Sequence, residues 1–221
     1  MWRTPTGVYR QVPPEVATDF YLDWGVAHGI PGVVACLARA DVDAGRPAAA
    51  RARLDGLWRS ATDLVDLDAR ADAGVRPLLP TFSGPRGAQY GGTASWCYGD
   101  AGAGAAFAAG SAQGSRWLDA VADALLRGAD AIDRLEPGLC HGVAGLVLIA
   151  CRLYHATGEE RFARAAATLV ERALHRDRWD PDAVTAGYGP GLLRGNAGIA
   201  LALHAALSDV EPGWDMILCL S

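Results

Sequence analysis

An all-α fold, arranged as part of an α/α toroid with about four inner and outer helix pairs, is what this sequence predicts. Two observations carry the prediction. Residues 29–40, 100–109, 142–154 and 195–207 are apolar on nearly every side, and each segment is preceded by glycines. Between them run segments whose apolar residues recur three and four positions apart. A helix apolar all round is a buried helix, and one with a single apolar stripe lies against a core. Alternation of the two kinds predicts inner helices ringed by outer ones.

The elements follow in order. Pro13-Pro14 before Glu15–Trp24 predicts a first helix, because proline suits the first helical position. Residues 47–66, with Leu54, Leu57, Trp58, Ala61, Leu64 and Val65, predict an outer helix. Residues 115–132 (Trp117, Val121, Leu125) and 159–174 (Phe162, Leu169, Ala173) predict two more. The inner segments share a start. Gly25-Val-Ala-His28-Gly-Ile-Pro-Gly32 aligns with Trp96-Cys-Tyr-Gly99-Asp-Ala-Gly102, Leu139-Cys-His-Gly142-Val-Ala-Gly145 and Leu192-Leu-Arg-Gly195-Asn-Ala-Gly198. The later spacings suit a repeating helix pair. The first interval is longer and holds an insertion at about residues 67–95, rich in Gly and Pro. Such a stretch inside a compact domain predicts a functional loop or lid, with Val75–Phe82 as a short edge strand. Residues 1–221 read as one domain.

Composition narrows the function. Hydrophobic residues make up 51% and charged residues 20%, which excludes disorder as a description of the whole. The net charge is −5 and every basic residue is Arg, so neither a nucleic-acid partner nor an anionic membrane surface is expected. The longest apolar run, Val143–Cys151, is far short of the roughly 20 residues a membrane span needs. Met1–Pro5 lacks the apolar core of a secretion signal, so a cytoplasmic protein with reduced thiols is expected. The five cysteines then read as core residues, nucleophiles or metal ligands.

Three of the four repeat starts carry a metal ligand or a base: His28, Cys97, and the neighbours Cys140 and His141. Two Cys and one His suit Zn²⁺ with an open fourth position. The spacing alone leaves buried structural thiols as the other reading. Adjacent ligands are awkward in mid-helix, where neighbours point about 100° apart. At a glycine-flanked helix start both can turn to one ion. Cys36, Cys151 and Cys219 read as small buried hydrophobes. His204 reads as a core residue, and His155 and His175 as exposed or helix-capping. Asp100 either bonds a metal ligand or caps its helix. Arg161, Arg164, Arg172, Arg176 and Arg178 read as a solvated outer face. A carbohydrate enzyme of α/α-barrel type would want paired acids at the helix starts, where only Asp100 stands.

Trp96-Cys97-Tyr98-Gly99 and Cys140-His141-Gly142, set among Gly-x-x-Gly helix starts, resemble the lanthionine cyclases (the LanC family). Ala27-His28-Gly29-Ile30-Pro31-Gly32 is similar to that family's earlier His-Gly motif, and Trp214-Asp215 through Leu220-Ser221 to its usual ending. The resemblance implies an α/α toroid with one zinc held by Cys97, Cys140 and His141. His28 would be the general acid/base, and Tyr98 would line the site. The implied reaction adds a cysteine thiol of a dehydrated precursor peptide to dehydroalanine or dehydrobutyrine, giving a thioether ring. The sequence departs from the family in two ways. The family chain is longer, with more helix pairs and an acidic residue upstream of the His. Many members also have Arg four positions before the first zinc Cys, where this chain has Thr93. A partner chain or second copy completing the barrel is therefore expected, with inner helices such as 142–154 showing an apolar flank until it binds. The alternative is a catalytically incomplete zinc-binding scaffold that docks a precursor peptide or a partner enzyme.

Overall fold

Each glycine motif opens a helix. In the computed structural model, which describes residues 3–5, 15–16, 19–43, 52, 56, 67–74, 76–91, 94–110, 114–210 and 212–220, the inner helices are α1 (Ile30–Asp43), α3 (Asp100–Gly110), α5 (Val143–Thr157) and α8 (Asn196–Leu207). Between α1 and α3 lies the short α2 (Leu67–Asp72), and α7 (Pro181–Tyr188) precedes α8. The outer helices are α4 (Gly114–Asp130) and α6 (Glu160–His175). The described residues are mostly helical with a small sheet, and the helices are consistent with a partial LanC-like toroid. Residues 47–66, read as an outer helix, lie almost wholly outside the described residues.

The glycine motifs have one physical cause. A Cβ on the last glycine would overlap the carbonyl oxygen six residues earlier: Val26 for Gly32, Trp96 for Gly102, Leu139 for Gly145 and Leu192 for Gly198. The first glycine meets the same obstacle at Gly29 (Asp23), Gly142 (Glu136) and Gly195 (Gly189). Gly99 instead takes a φ of 87°, which favours glycine. The loop thus doubles back over the first turn of its helix, where there is no room for a side chain. It also supplies acceptors that a helix start lacks. Gly142 and Gly195 offer no side-chain cap. The amides of Val143 and Ala144 donate instead to Glu136 and Pro137 (2.9 and 3.2 Å), and those of Asn196 and Ala197 to Gly189 and Pro190 (both 3.3 Å).

The outer helices bury the predicted stripes. Trp117, Val121 and Leu125 of α4 and Phe162, Leu169 and Ala173 of α6 are buried. Their outward faces are laced by Arg161 to Asp119 (2.5 Å) and Arg172 to Asp130 (2.8 Å), so these arginines do form the solvated face expected of them. Arg178 is half-buried and departs from it, donating to the Leu135 carbonyl. Every residue of α5 from Val143 to Leu153 is buried, enclosed by α3, α4, α6 and α8. The expected apolar flank therefore does not fall on 142–154. It falls on α8, where Leu207 is 78% exposed and Ala197, Ala200 and His204 face solvent. His204 is accordingly not a core residue.

Other expectations are corrected. The stretch read as a helix over 15–24 contains a strand, β2 (Phe20–Asp23). It lies between β1 (Thr4–Pro5) and β3 (Phe82–Gly84), with β4 (Gly87–Gln89) outermost, all antiparallel. A proline pair marks where a helix can start, but Phe-Tyr-Leu suits a strand once a partner is at hand. In the insertion, pairing begins at Phe82 rather than running over Val75–Phe82, and Val75 is outside the described residues. Leu78, Leu79 and Phe82 are buried, and Trp24 Nε1 donates to Ser83 Oγ (2.7 Å). Asp100 neither caps its helix nor serves the thiols. Its buried carboxylate accepts the amides of Leu78 and Leu79 (2.9 and 2.8 Å) and the Arg127 guanidinium (3.2 Å), pinning the insertion to α3.

The chain's last described segment, a 3₁₀ turn over Gly213–Leu218, crosses back over the inner helices. Its Leu218 carbonyl accepts Trp96 Nε1 (2.8 Å), and its buried Asp215 pairs with buried Arg152 of α5 (2.7 Å). Among the described residues, no helix is long and apolar enough to cross a membrane.

Candidate metal centre

The doubled-back loops sit side by side at one end of the inner helices, stitched by their backbones. Val26 N donates to Cys97 O (2.8 Å), Cys97 N to Cys140 O (3.3 Å) and Cys140 N to Leu193 O (2.8 Å). The residue before the first glycine is equivalent in all four: His28, Tyr98, His141 and Arg194. Cys97 and Cys140 each stand one position earlier in neighbouring loops.

This stitching brings three ligand atoms together. The Cys97 and Cys140 sulfurs and a ring nitrogen of His141 all lie within 4.8 Å of one another. Cys140 Sγ and His141 Nε2 are 4.0 Å apart. Both thiols are buried and His141 is exposed. Tetrahedral zinc with its usual bond lengths wants such atoms roughly 3.6–3.8 Å apart, a matter of small side-chain rotations from here. Two sulfurs and an imidazole are a soft donor set suited to that ion. Ser95 shapes the loop: its Oγ accepts the Tyr98 amide (3.1 Å), donates to the Tyr98 carbonyl (2.9 Å) and lies 4.0 Å from Cys97 Sγ.

The thiols influence each other's protons. The hydrogen bond between Cys97 and Cys140 holds Cys97 far above the ordinary thiol range, with burial adding to the rise. The same bond pulls Cys140 down. Two adjacent buried thiolates would repel, so the rise at Cys97 and the fall at Cys140 have one cause. Glu136 and Arg194 flank Cys140 and act on it in opposite directions. Arg194 grips Glu136 with two bonds of 3.0 Å and lies 5.0 Å over the Tyr188 ring.

His28 and Tyr98 form the adjoining cluster, their rings stacked at 6.1 Å. Tyr98 Oη donates to Asp23 Oδ2 (3.2 Å), and Asp23 Oδ1 accepts the Gly25 amide (2.8 Å). Burial raises the Asp23 carboxyl above its ordinary value; the bonds from Gly25 and Tyr98 and the charge of His28 pull the other way. Asp23 is the residue that sequence reasoning missed. A helix over 15–24 would have spent it on a solvated face. Its signal was Asp-Trp-Gly, since an Asp carboxylate readily accepts the amide two residues on.

The family model for lanthionine synthetase C-like proteins matches residues 13–219. The chain belongs to the lanthionine synthetase C-like family. No curated protein matches it. Members of the family are generally zinc-binding, and Cys97, Cys140 and His141 could hold a metal here. Thr93, at the position where many members have Arg, lies outside the described residues.

Proposed function

We propose that this chain is a zinc-dependent peptide cyclase, or one part of one, that adds cysteine thiols of a dehydrated precursor peptide to dehydroalanine or dehydrobutyrine residues. The observation that supports it most is the meeting of Cys97, Cys140 and His141 beside the His28–Tyr98–Asp23 cluster. Cys97, Cys140 and His141 would hold the ion. A free thiol is only about 3% ionised at pH 7, and an ion held by Cys97, Cys140 and His141 would supply the positive charge that favours the thiolate of a substrate cysteine. In the addition the sulfur bonds the alkene's β carbon, and the electron pair moves toward the carbonyl as an enolate. The enolate carbon then takes a proton. An imidazole can both take up and release a proton, and His28 is exposed, so it is suited to deliver it. Asp23 holds Tyr98 against the His28 ring, which fixes that ring's orientation.

Metal analysis and turnover test the reading together. One zinc per chain is expected, and Cys97→Ala removes most of it. His28→Asn keeps the zinc and slows cyclisation of a dehydrated peptide by about 10²–10⁴-fold. A folded chain without zinc affinity overturns the proposal. Zinc and peptide binding without turnover leaves a docking scaffold in its place. The exposed flank of α8 supports one extension: a partner chain bearing further helix pairs completes the ring there. A lone monomer in light scattering with full cyclase activity overturns that extension.

A further inference from the structure

Two thiols away from the metal centre lie against each other. Cys36 is on the exposed side of α1, and Cys219 follows the Gly213–Leu218 turn. Neither is the buried hydrophobe the sequence suggested; of the three so read, only Cys151 is buried, its thiol pushed up to about 11 by burial. The sulfurs of Cys36 and Cys219 are 3.5 Å apart although 183 positions separate them. The Cys219 thiol points its proton at the Gly32 carbonyl (3.9 Å), which keeps the segment beside α1. A disulfide needs its sulfurs about 2.05 Å apart, so roughly 1.5 Å of side-chain motion closes the gap.

We propose that Cys36 and Cys219 are an oxidation site that a peroxide converts to a disulfide, fastening the C-terminal segment to the first inner helix. This inference stands independently of the cyclase reading. Cys36 is the sulfur that a small oxidant reaches from solvent. Burial, and then the neighbouring Cys36, hold the Cys219 thiol up at about 11, so it stays protonated until its partner is oxidised. The Cys36 sulfur attacks one peroxide oxygen, the O–O bond breaks, water leaves and a sulfenic acid forms. The Cys219 sulfur then attacks the Cys36 sulfur, the S–O bond breaks and a second water leaves. Two thiols lose two electrons and two protons, and one hydrogen peroxide becomes two waters. The segment so fastened also accepts from Trp96 and pairs with Arg152, so the link ties α1 to the start of α3 and to α5.

The test treats the full chain with equimolar hydrogen peroxide and maps an unreduced tryptic digest. Cleavage after Arg places Cys36 within residues 11–39 and Cys219 within residues 195–221. The expected product is those two peptides joined, about 2 Da lighter than their sum and separated by a reductant. Its formation also raises the unfolding temperature, because the loop closed spans most of the chain. Cys36→Ser and Cys219→Ser each abolish both signals while leaving the reduced protein folded. If Cys36 stays a thiol, or goes to sulfinic acid without joining Cys219, the proposal fails.

Discussion

Helices α5 and α8 open with the same glycine motif and are built from the same kinds of residue, yet they live in different surroundings. α5 is covered on all sides from Val143 to Leu153. α8 buries Gly198, Ile199, Ala202 and Ala205, half-buries Asn196, Leu201, Leu203 and Ala206, and shows Ala197, Ala200, His204 and Leu207 to solvent. The difference lies in their neighbours. α5 packs against α3, α4, α6 and α8, while among the described residues α8 packs mainly against α5 and, less, α7. Apolarity all round records what a helix is built to be surrounded by; the rest of the fold decides whether it is. Of its exposed residues, Ala197 and Ala200 are small and His204 is polar, which leaves Leu207 as the large apolar side chain open to solvent on that helix.

The contrast breaks hardest at Arg152, the one charge within the buried run of α5. Its pairing with Asp215 is shut away from water, so Arg152→Ala leaves an uncompensated buried carboxylate and is expected to cost about 3–5 kcal/mol in urea unfolding. A cost under about 1 kcal/mol would mean that water reaches the pair.

Next is a direct test of the two helices. Leu146→Ala in α5 should cost about 2–5 kcal/mol. Leu207→Ala in α8 should stay within about 0.5 kcal/mol. If Leu207→Ala is costly, and more so at high protein concentration, the flank is covered in solution and the contrast dissolves.

A smaller effect carries the contrast to the Asp23 carboxylate. Its folded-state value is raised, so the stability contributed by its neutral form is whole below about pH 4 and is lost as pH rises through the raised value. Asn cannot titrate. The stability of wild type minus Asp23→Asn should therefore fall as pH rises across that window. A difference flat with pH would show that Asp23 is solvated.

The smallest effect lies on the outer face. Arg172→Ala loses an exposed pair and should cost about 0.2–1 kcal/mol, shrinking with salt.

What was legible in the sequence follows the reach of each signal. The inner helices and the stripes of α4 and α6 are readable because periodicity and glycine spacing are local; alignment of the helix starts offers Cys97, Cys140 and His141 as candidates, and the resemblance to the LanC family, not their spacing, implies that they act as one set. α7 was readable and missed: Asp180-Pro181 is a helix start, and the Asp180 carboxylate accepts the Ala183 amide (2.7 Å). The strands were not readable, since β2 pairs with a segment about 60 residues away (Leu22 with Ser83) and no short window holds both. A shorter separation is enough to hide the work of Asp100, whose amide partners are 21 and 22 positions back. Exposure of Cys36 was hidden too, because an apolar run does not say which of its sides will lack a neighbour.

The backbone carbonyls laid over the motif glycines have an evolutionary consequence. They hold each loop through main-chain atoms and the absence of a Cβ, so the hold ignores whatever side chain precedes the first glycine. This chain shows four occupants of that position, three on loops of one pattern and one on the variant loop at Gly99: an imidazole at His28, a second imidazole at His141, a guanidinium at Arg194 and a phenol at Tyr98. Chemistry is thereby inherited separately from architecture. A single codon change at one corner can exchange a base for an acid, or a ligand for an anion-binding group, while the loop beneath keeps its shape.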